Sequence, residues 1–545
     1  MRSSRVVAVS AGSAAVLGAF YLALPRLGSD LAAQVARADF FAAHGAAPVD
    51  LRWYGGVQQF GYSLVSQPVM ALLGVRVTGA LALVAAATAL AALLVRNGVP
   101  RPLLGSLVGV VTVAGNLVSG RVTYGLGVAF GLGALLALTV PAGRPGDGRR
   151  PWTRLALAAA GALLASATSP VAGLFVGLAG AALLLTRRYA DGLTLGVAAA
   201  LPLGATGLLF ADGGWMNISR TDALRATVTS LLVAALVAYR PVRAGALLSA
   251  AGVLAAALAH TPVGLNATRL VIMFALPVLA AAARPPARLA GWLSRRRSRP
   301  SASAGPPEAR APRRRVAAGV GLAALLAAVC VWQPPVVPAD LRSAGDPTSR
   351  PGYFAPLRSW LAGQPLTGRV EVPPTRNYWE AASLGEVPLA RGWLRQADID
   401  RNPLFFTTVP GAPGTGVPLT AATYRDWLSA NAVQYVALPD APLSWVGRAE
   451  AELVTGGLPY LTPVWSGPHW RVWAVTDPTP IVGAPGELVR QDAATVTLRA
   501  TAAGTVPVRI RHSRWLTVSG GASVRPDGDW TRVEVPGPGE YTLGS

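Results

Sequence analysis

The sequence predicts a polytopic α-helical membrane domain of about eleven spans over residues 1–334. An extracytoplasmic region over 335–545 follows, joining a mixed α/β part to a small β-sandwich. Three observations predict this. First, 52% of the 545 residues are hydrophobic and only 14% are charged, against a charged share of about 25% in a soluble domain. Second, apolar runs recur that can each cross a hydrocarbon core about 30 Å thick. Third, charge is partitioned: residues 1–334 carry 30 arginines and 8 acids, whereas 335–545 carry 18 of each. The net charge of +22 therefore belongs to the membrane half, and no nucleic-acid partner is expected. No lysine occurs and all 48 basic residues are arginine, which reads as a high-GC bacterial genome rather than a binding requirement.

The expected spans run over 6–25, 77–95, 103–119, 122–142, 155–168, 171–186, 192–210, 226–239, 244–259, 270–283 and 316–334. The first follows MRSSR and is longer than the usual secretory apolar region of about 7–15 residues, so it is read as a retained span. Residues 57–75 are apolar but interrupted by Gly61 and Pro68, as in an interfacial or re-entrant piece. With the N-terminus cytoplasmic, 22 arginines fall on inner segments and eight on outer ones, the bias expected of cytoplasmic loops. Ten of the inner arginines lie in the Pro- and Ser-rich stretch 284–315, read as a basic cytoplasmic linker that touches anionic membrane lipids. Eleven spans then export the C-terminal region. In its 335–485 part, YRDWLSANAV reads as an amphipathic helix and QYVALP as the strand after it. From 486 to 545, ATVTLRA, VPVRIRH and TRVEVP alternate apolar and polar residues between turns, the pattern of an antiparallel sandwich.

Chemistry-bearing residues gather in the external loop after the first span, residues 26–57. Asp30, Asp39 and Asp50 lie there with Arg26, Arg37, His44, Arg52, Trp53 and Tyr54. Leu31, Val35, Phe40 and Phe41 fall loosely on one face of a helix that would lie in the membrane interface. Asp30 and Asp39 are nine residues apart, about 2.5 helical turns, so at most one of them faces a central cavity. Asp30 sits just beyond the membrane exit and is the better general base, with helix capping as its alternative role. The single cysteine, Cys330, and four scattered histidines give no metal-ligating constellation, and no cofactor is expected. No acid lies inside the expected spans, which weighs against an ion-coupled transporter.

A first span, a long external loop with an early Asp and an interfacial helix, then about ten further spans and an exported domain together resemble the GT-C superfamily. Those are integral-membrane glycosyltransferases that use polyprenyl-phosphate sugars. The finer pattern is similar to uncharacterised actinobacterial membrane proteins of this architecture. It is carried by WYGGVQQFGYS at 53–63, GRVTYGLGVAFGLGALLAL at 120–138, TSPVAGLF at 168–175, FADGG at 210–214 and PVGLNATRL at 262–270, then PLARGWLRQ at 388–396 and LPYL at 458–461. The tandem acidic pair common in that superfamily's loop is not present, since Leu31 follows Asp30. The resemblance implies sugar transfer from a lipid-linked donor to a cell-envelope glycan acceptor on the outer face. Asp30 or Asp39 would be catalytic. Arg121 and Arg269, which break the inward bias of the arginines, would clamp a lipid phosphate. Trp53 and Tyr54 would stack on sugar. A non-catalytic envelope protein that binds glycan or a partner, and a membrane transporter, are the competing readings.

Overall fold

The computed structural model describes residues 3–141, 152–284 and 307–545. Most of the basic linker 284–315 lies outside these residues. The membrane half is helical: α1 (Ser3–Ala23), α2 (Leu31–His44), α3 (Ser66–Leu73), α4 (Val75–Arg96), α5 (Pro102–Val118), α6 (Val122–Ala137), α7 (Thr153–Thr168), α8 (Pro170–Leu185), α9 (Tyr189–Leu209), α10 (Arg220–Leu236), α11 (Arg240–Leu258), α12 (Arg269–Ala282) and a last helix, Pro307–Trp332. By length and composition, α1, α4, α9, α11 and the segment ending in α12 can cross a membrane, and five shorter apolar helices accompany them. The protein is a membrane-embedded helical protein.

Several expected spans begin too late, those of α9 and α10 among them. Helix α9 starts at Tyr189 and takes in Asp191, which pairs with Arg188 at 2.6 Å and Arg154 at 3.3 Å. Helix α10 starts at Arg220 and takes in Asp222 and Arg225. The expectation that no acid lies within these helices is thereby corrected: a polar first turn is helical without being apolar. The loop after α2 holds a two-stranded ribbon, β1 (Val49–Asp50) and β2 (Val57–Gln58), and the interrupted stretch 57–75 holds the short helix α3 rather than a crossing.

Lipid gives helices no hydrophobic reason to associate, so close packing through small side chains has to hold them. One core seam joins α6, α7, α8 and α9 through Ala134, Ala158, Ala162, Ala165, Val176, Ala198 and Ala199. Another links α1, α4, α5, α6 and α12 through Ala14, Leu83, Ala86, Leu90, Val110, Tyr124 and Met273.

The C-terminal region contains one mixed sheet ordered β3-β4-β6-β5, from β3 (Arg369–Glu371), β4 (Val433–Pro439), β5 (Leu461–Gly467) and β6 (Trp470–Val475). Only β3 and β4 pair in parallel. The helix Ala421–Ala430 precedes β4 and is opened by a reciprocal cap between Thr420 and Thr423. After residue 485 come β7 (Gly486–Gln491), β8 (Thr495–Ala500), β9 (Gly504–Arg511), β10 (Thr517–Val518), β11 (Ser523–Asp527), β12 (Trp530–Val535) and β13 (Gly539–Gly544). They form two antiparallel sheets, β10-β13-β8-β7 and β11-β12-β9. The inward residues Val496, Leu498, Val506, Val508, Val533 and Leu543 share one core.

This region is tied to loops of the membrane half. Phe40 of α2 packs on Ala493 and Ala494. Trp515 stacks on Phe210 with centroids 5.1 Å apart and donates to the Leu209 carbonyl at 3.0 Å.

Candidate active site

The site begins with a crossing of two backbones. The turn from α1 to α2 passes the turn from α5 to α6 at contact, and each uses a glycine with positive φ: Gly28 at +104° and Gly120 at +76°. A methyl group on Gly28 would lie 2.5 Å from the Val118 carbonyl oxygen, and one on Gly120 would lie 2.5 Å from the Leu31 nitrogen. Only glycine fits at both. The crossing is then pinned by hydrogen bonds. Asp30 N donates to the Ser119 carbonyl at 3.1 Å. The buried Asp340, just after the last membrane helix, accepts from Ser29 N at 3.1 Å through Oδ1 and from Ser119 Oγ at 2.6 Å through Oδ2.

This arrangement brings Asp30, Arg121 and Arg269 together. Asp30 occupies the N-cap of α2, but its side chain makes no cap hydrogen bond. Instead, Oδ2 accepts from Arg121 Nε at 3.2 Å and Arg269 Nη2 at 3.3 Å, while Oδ1 accepts from Ser29 Oγ at 3.2 Å. The Arg269 guanidinium also lies 5.4 Å from the centre of the Tyr124 ring. The three groups line a cavity of about 490 Å³ between the membrane helices and the C-terminal region. Asn116 and Asn266 also face it. So does Asp222, whose carboxylate accepts from Ser219 Oγ at 2.6 Å.

Tyr124 also lines a second cavity of about 500 Å³, set among the membrane helices and the turns that join them and walled largely by Leu90, Leu94, Leu132, Phe175, Val176 and Phe274. A polar chamber and an apolar one therefore share one aromatic wall.

The remaining expected residues lie elsewhere. Asp39 is on the exposed side of α2 and lines neither cavity. Trp53 and Tyr54 are each 1% exposed and have no ring face left for a sugar, which corrects the stacking role expected of them. Their partner is a strap, residues 389–396. Leu389 N donates to the Arg52 carbonyl at 2.7 Å, and Tyr54 Oη donates to the Gly392 carbonyl. A methyl group on Gly392 would lie 2.4 Å from Trp53 Cγ, so the strap is glycine where it crosses the indole. Next to it, Trp393 Nε1 donates to the Ser29 carbonyl at 3.0 Å. These two aromatic residues seat the strap against the loop that carries Asp30.

The strap is anchored from behind by Arg391, which is fully buried. It pairs with Asp398 at 2.8 Å and Glu450 at 3.1 Å, and Glu371 lies 3.7 Å away. Three carboxyl groups around one guanidinium cannot all be ionised cheaply in a dry site. Burial pushes Glu450 up to about 7. Burial and the neighbouring Glu450 carboxylate push Glu371 well above the usual carboxylate range.

Four residues of this site were not singled out from sequence: Asp222, Asp340, Arg391 and Arg395. Arg391 and Arg395 lie in PLARGWLRQ, a stretch marked only by its resemblance. Asp340 carried one usable signal, as the first acid after the last span.

No family model matches the chain, and no curated protein matches it. Among solved structures it is similar to the arabinofuranosyltransferase AftD from mycobacteria, with 19% identity over 87% of this chain and a TM-score of 0.46. That match covers 40% of AftD, so the chain spans less than half its length. It is also similar to ArnT from Cupriavidus metallidurans, whose structure holds undecaprenyl phosphate. There the identity is 14%, the TM-score is 0.43, and the match covers 86% of this chain and 97% of ArnT.

Proposed function

We propose that the protein is a membrane glycosyltransferase that moves a sugar from a polyprenyl-phosphate donor to a cell-envelope glycan or glycolipid on the outer face of the membrane. In this reading eleven helices cross the bilayer, the N-terminus is cytoplasmic and the C-terminal region is extracytoplasmic. One observation carries it. A carboxylate and two guanidinium groups converge in a polar cavity that shares the Tyr124 wall with an apolar chamber. An amphiphile with an anionic head and a hydrocarbon tail fits that pair of compartments.

The chemistry follows from the groups present. Arg121 and Arg269 hold the donor phosphate by charge-assisted hydrogen bonds. Asp30 accepts the proton of the acceptor hydroxyl as that oxygen attacks the anomeric carbon. The new carbon–oxygen bond forms while the bond from the anomeric carbon to the phosphate oxygen breaks. The electron pair stays on the polyprenyl phosphate, where the two guanidinium groups stabilise the added charge. The leaving phosphate is a weak base, so it needs no separate general acid.

The test is incorporation of labelled sugar from polyprenyl-phosphate donors in membranes, with wild type beside Asp30→Asn. Asn keeps the size of the side chain but cannot take a proton at neutral pH. Activity should fall by about 100-fold or more, the usual worth of a general base. Full activity in Asp30→Asn would remove the base role. Absence of transfer by wild type across the plausible donors would favour the non-catalytic reading, in which the same ion pairs only lock the external loops together.

A further inference from the structure

We propose that Arg395, with Tyr378 and Trp445, forms a subsite for an acceptor sugar that carries an oxyanion, a carboxylate or a phosphate. The inference rests on the transferase reading for the word acceptor, and on geometry for the rest. Arg395 lines the same cavity as Asp30. It is half-buried, and its guanidinium lies 5.2 Å from the Trp445 ring centre and 5.7 Å from that of Phe406. One hydrogen bond holds it in place, from Nη2 to Tyr378 Oη at 3.1 Å.

Among the described residues no carboxylate lies within ion-pair distance of Arg395, in contrast to every other arginine named in this site. Asp398, three residues on, is committed to Arg391 and to Asn402 Nδ2. A partly desolvated guanidinium offers five N–H donors in a rigid fork, and the protein uses one of them. The aromatic walls cannot take the rest. The complement that satisfies them is a planar or tetrahedral oxyanion, while the Trp445 face suits a sugar ring.

Two features assign this group to the acceptor rather than to the lipid donor. The apolar chamber is lined by residues of the membrane half alone and meets the cavity at Tyr124, beneath Arg269. Arg395 belongs to the C-terminal region and does not touch that chamber. In addition, Arg121 and Arg269 share one carboxylate, Asp30, which leaves a single net positive charge there. That balance suits one phosphodiester and needs no help from Arg395.

Binding to the full-length protein in nanodiscs tests the proposal without requiring turnover. The probes are glucuronate, glucose 6-phosphate and glucose, measured by equilibrium dialysis. At least one anionic sugar should bind about tenfold or more tightly than glucose, as a charge-assisted bond implies, and comparison of the two anions tells carboxylate from phosphate. Arg395→Gln should abolish the preference, Arg395→Lys should restore part of it, and Arg121→Gln should leave it intact; unchanged thermal melting shows that each variant is folded. Equal binding of all three probes, or a preference lost in Arg121→Gln but kept in Arg395→Gln, would overturn the proposal. A short-chain prenyl diphosphate whose binding falls in Arg395→Gln, beside a prenyl monophosphate that is unaffected, would assign Arg395 to the donor and also overturn it. Arg395-dependent binding by a protein that transfers no sugar would instead refute the transferase reading alone.

Discussion

The indole nitrogen of Trp393 donates a 3.0 Å hydrogen bond to the carbonyl of Ser29, the residue that precedes Asp30. Through this bond the C-terminal region reaches the turn that positions the carboxylate. Trp393→Phe keeps most of the ring volume and removes the donor. It should cost about 1 kcal/mol in stability, the usual worth of a neutral hydrogen bond. Sugar transfer should fall by more than that loss of folded protein explains. A melting curve beside a transfer assay measures both, and unchanged transfer would show that the strap covers the cavity without positioning it.

Gly120→Ala should be severe. The backbone there has φ +76°, and the added carbon would lie 2.5 Å from the Leu31 nitrogen. The left-handed conformation alone costs about 1–2 kcal/mol for a residue with a Cβ. The clash adds to this by forcing apart the two turns that carry Asp30 and Arg121. Reduced yield of folded protein, and loss of transfer in what remains, are the expected readouts. Gly98→Ala, also at positive φ (+61°) but with open space around the added carbon, is the control for conformation without the clash.

Asp39→Asn should leave transfer within about twofold of wild type, because a solvent-facing carboxylate has no part in acid–base work at a distance. Its comparison with Asp30→Asn in one assay decides between the two acids of α2. A larger loss in Asp39→Asn would move the base to the outer side of that helix.

The C-terminal region should be more stable in mild acid than in mild base. Burial raises Glu450 to about 7 and Glu380 to about 8, from an ordinary value near 4.5. The folded state therefore binds protons that the unfolded chain has released over that interval. Stability is full below about 4.5 and is lost as pH rises through 7 and then 8. Melting temperature recorded at pH 5, 6.5 and 8 should fall along that series. The fall should be smaller in Glu380→Gln, which keeps an oxygen to accept from Thr375. A melting temperature that rises with pH would contradict the buried, neutral state of these acids.

Trp53→Ala should behave as a core deletion and cost about 3–5 kcal/mol. Transfer by the protein that still folds would be lowered through the strap, not through a weakened affinity for a sugar. Denaturation together with acceptor-concentration dependence separates the two effects.

Much of the membrane half was legible because an apolar run long enough for lipid is a direct physical requirement. The starts of α9 and α10 were not, because hydropathy reports apolar composition and the first turns that hold Asp191 and Asp222 are polar. The alternation in ATVTLRA and VPVRIRH was visible and corresponds to β8 and β9, where a one-sided core enforces a period of two. Arg121 and Arg269 stood out because outer arginines oppose the charge bias. Their meeting at Asp30 depends on the Gly28–Gly120 crossing, which no local pattern announces. Trp53 and Tyr54 were misread because residue type alone does not separate an indole that stacks on ligand from one that packs on backbone. The residue that decides it, Gly392, lies more than 300 positions further along the chain.

The ring of Tyr124 belongs to both chambers, so it marks where water-like surroundings give way to oil-like ones within the protein. A molecule that fills both must change character at that plane. Its charged part has to end, and its hydrocarbon part begin, at the depth of one phenol. In the transferase reading the protein thereby gauges the length of a head group before any chemistry starts. Amphiphiles whose polar portion is too long or too short would not fill both compartments, whatever their charge.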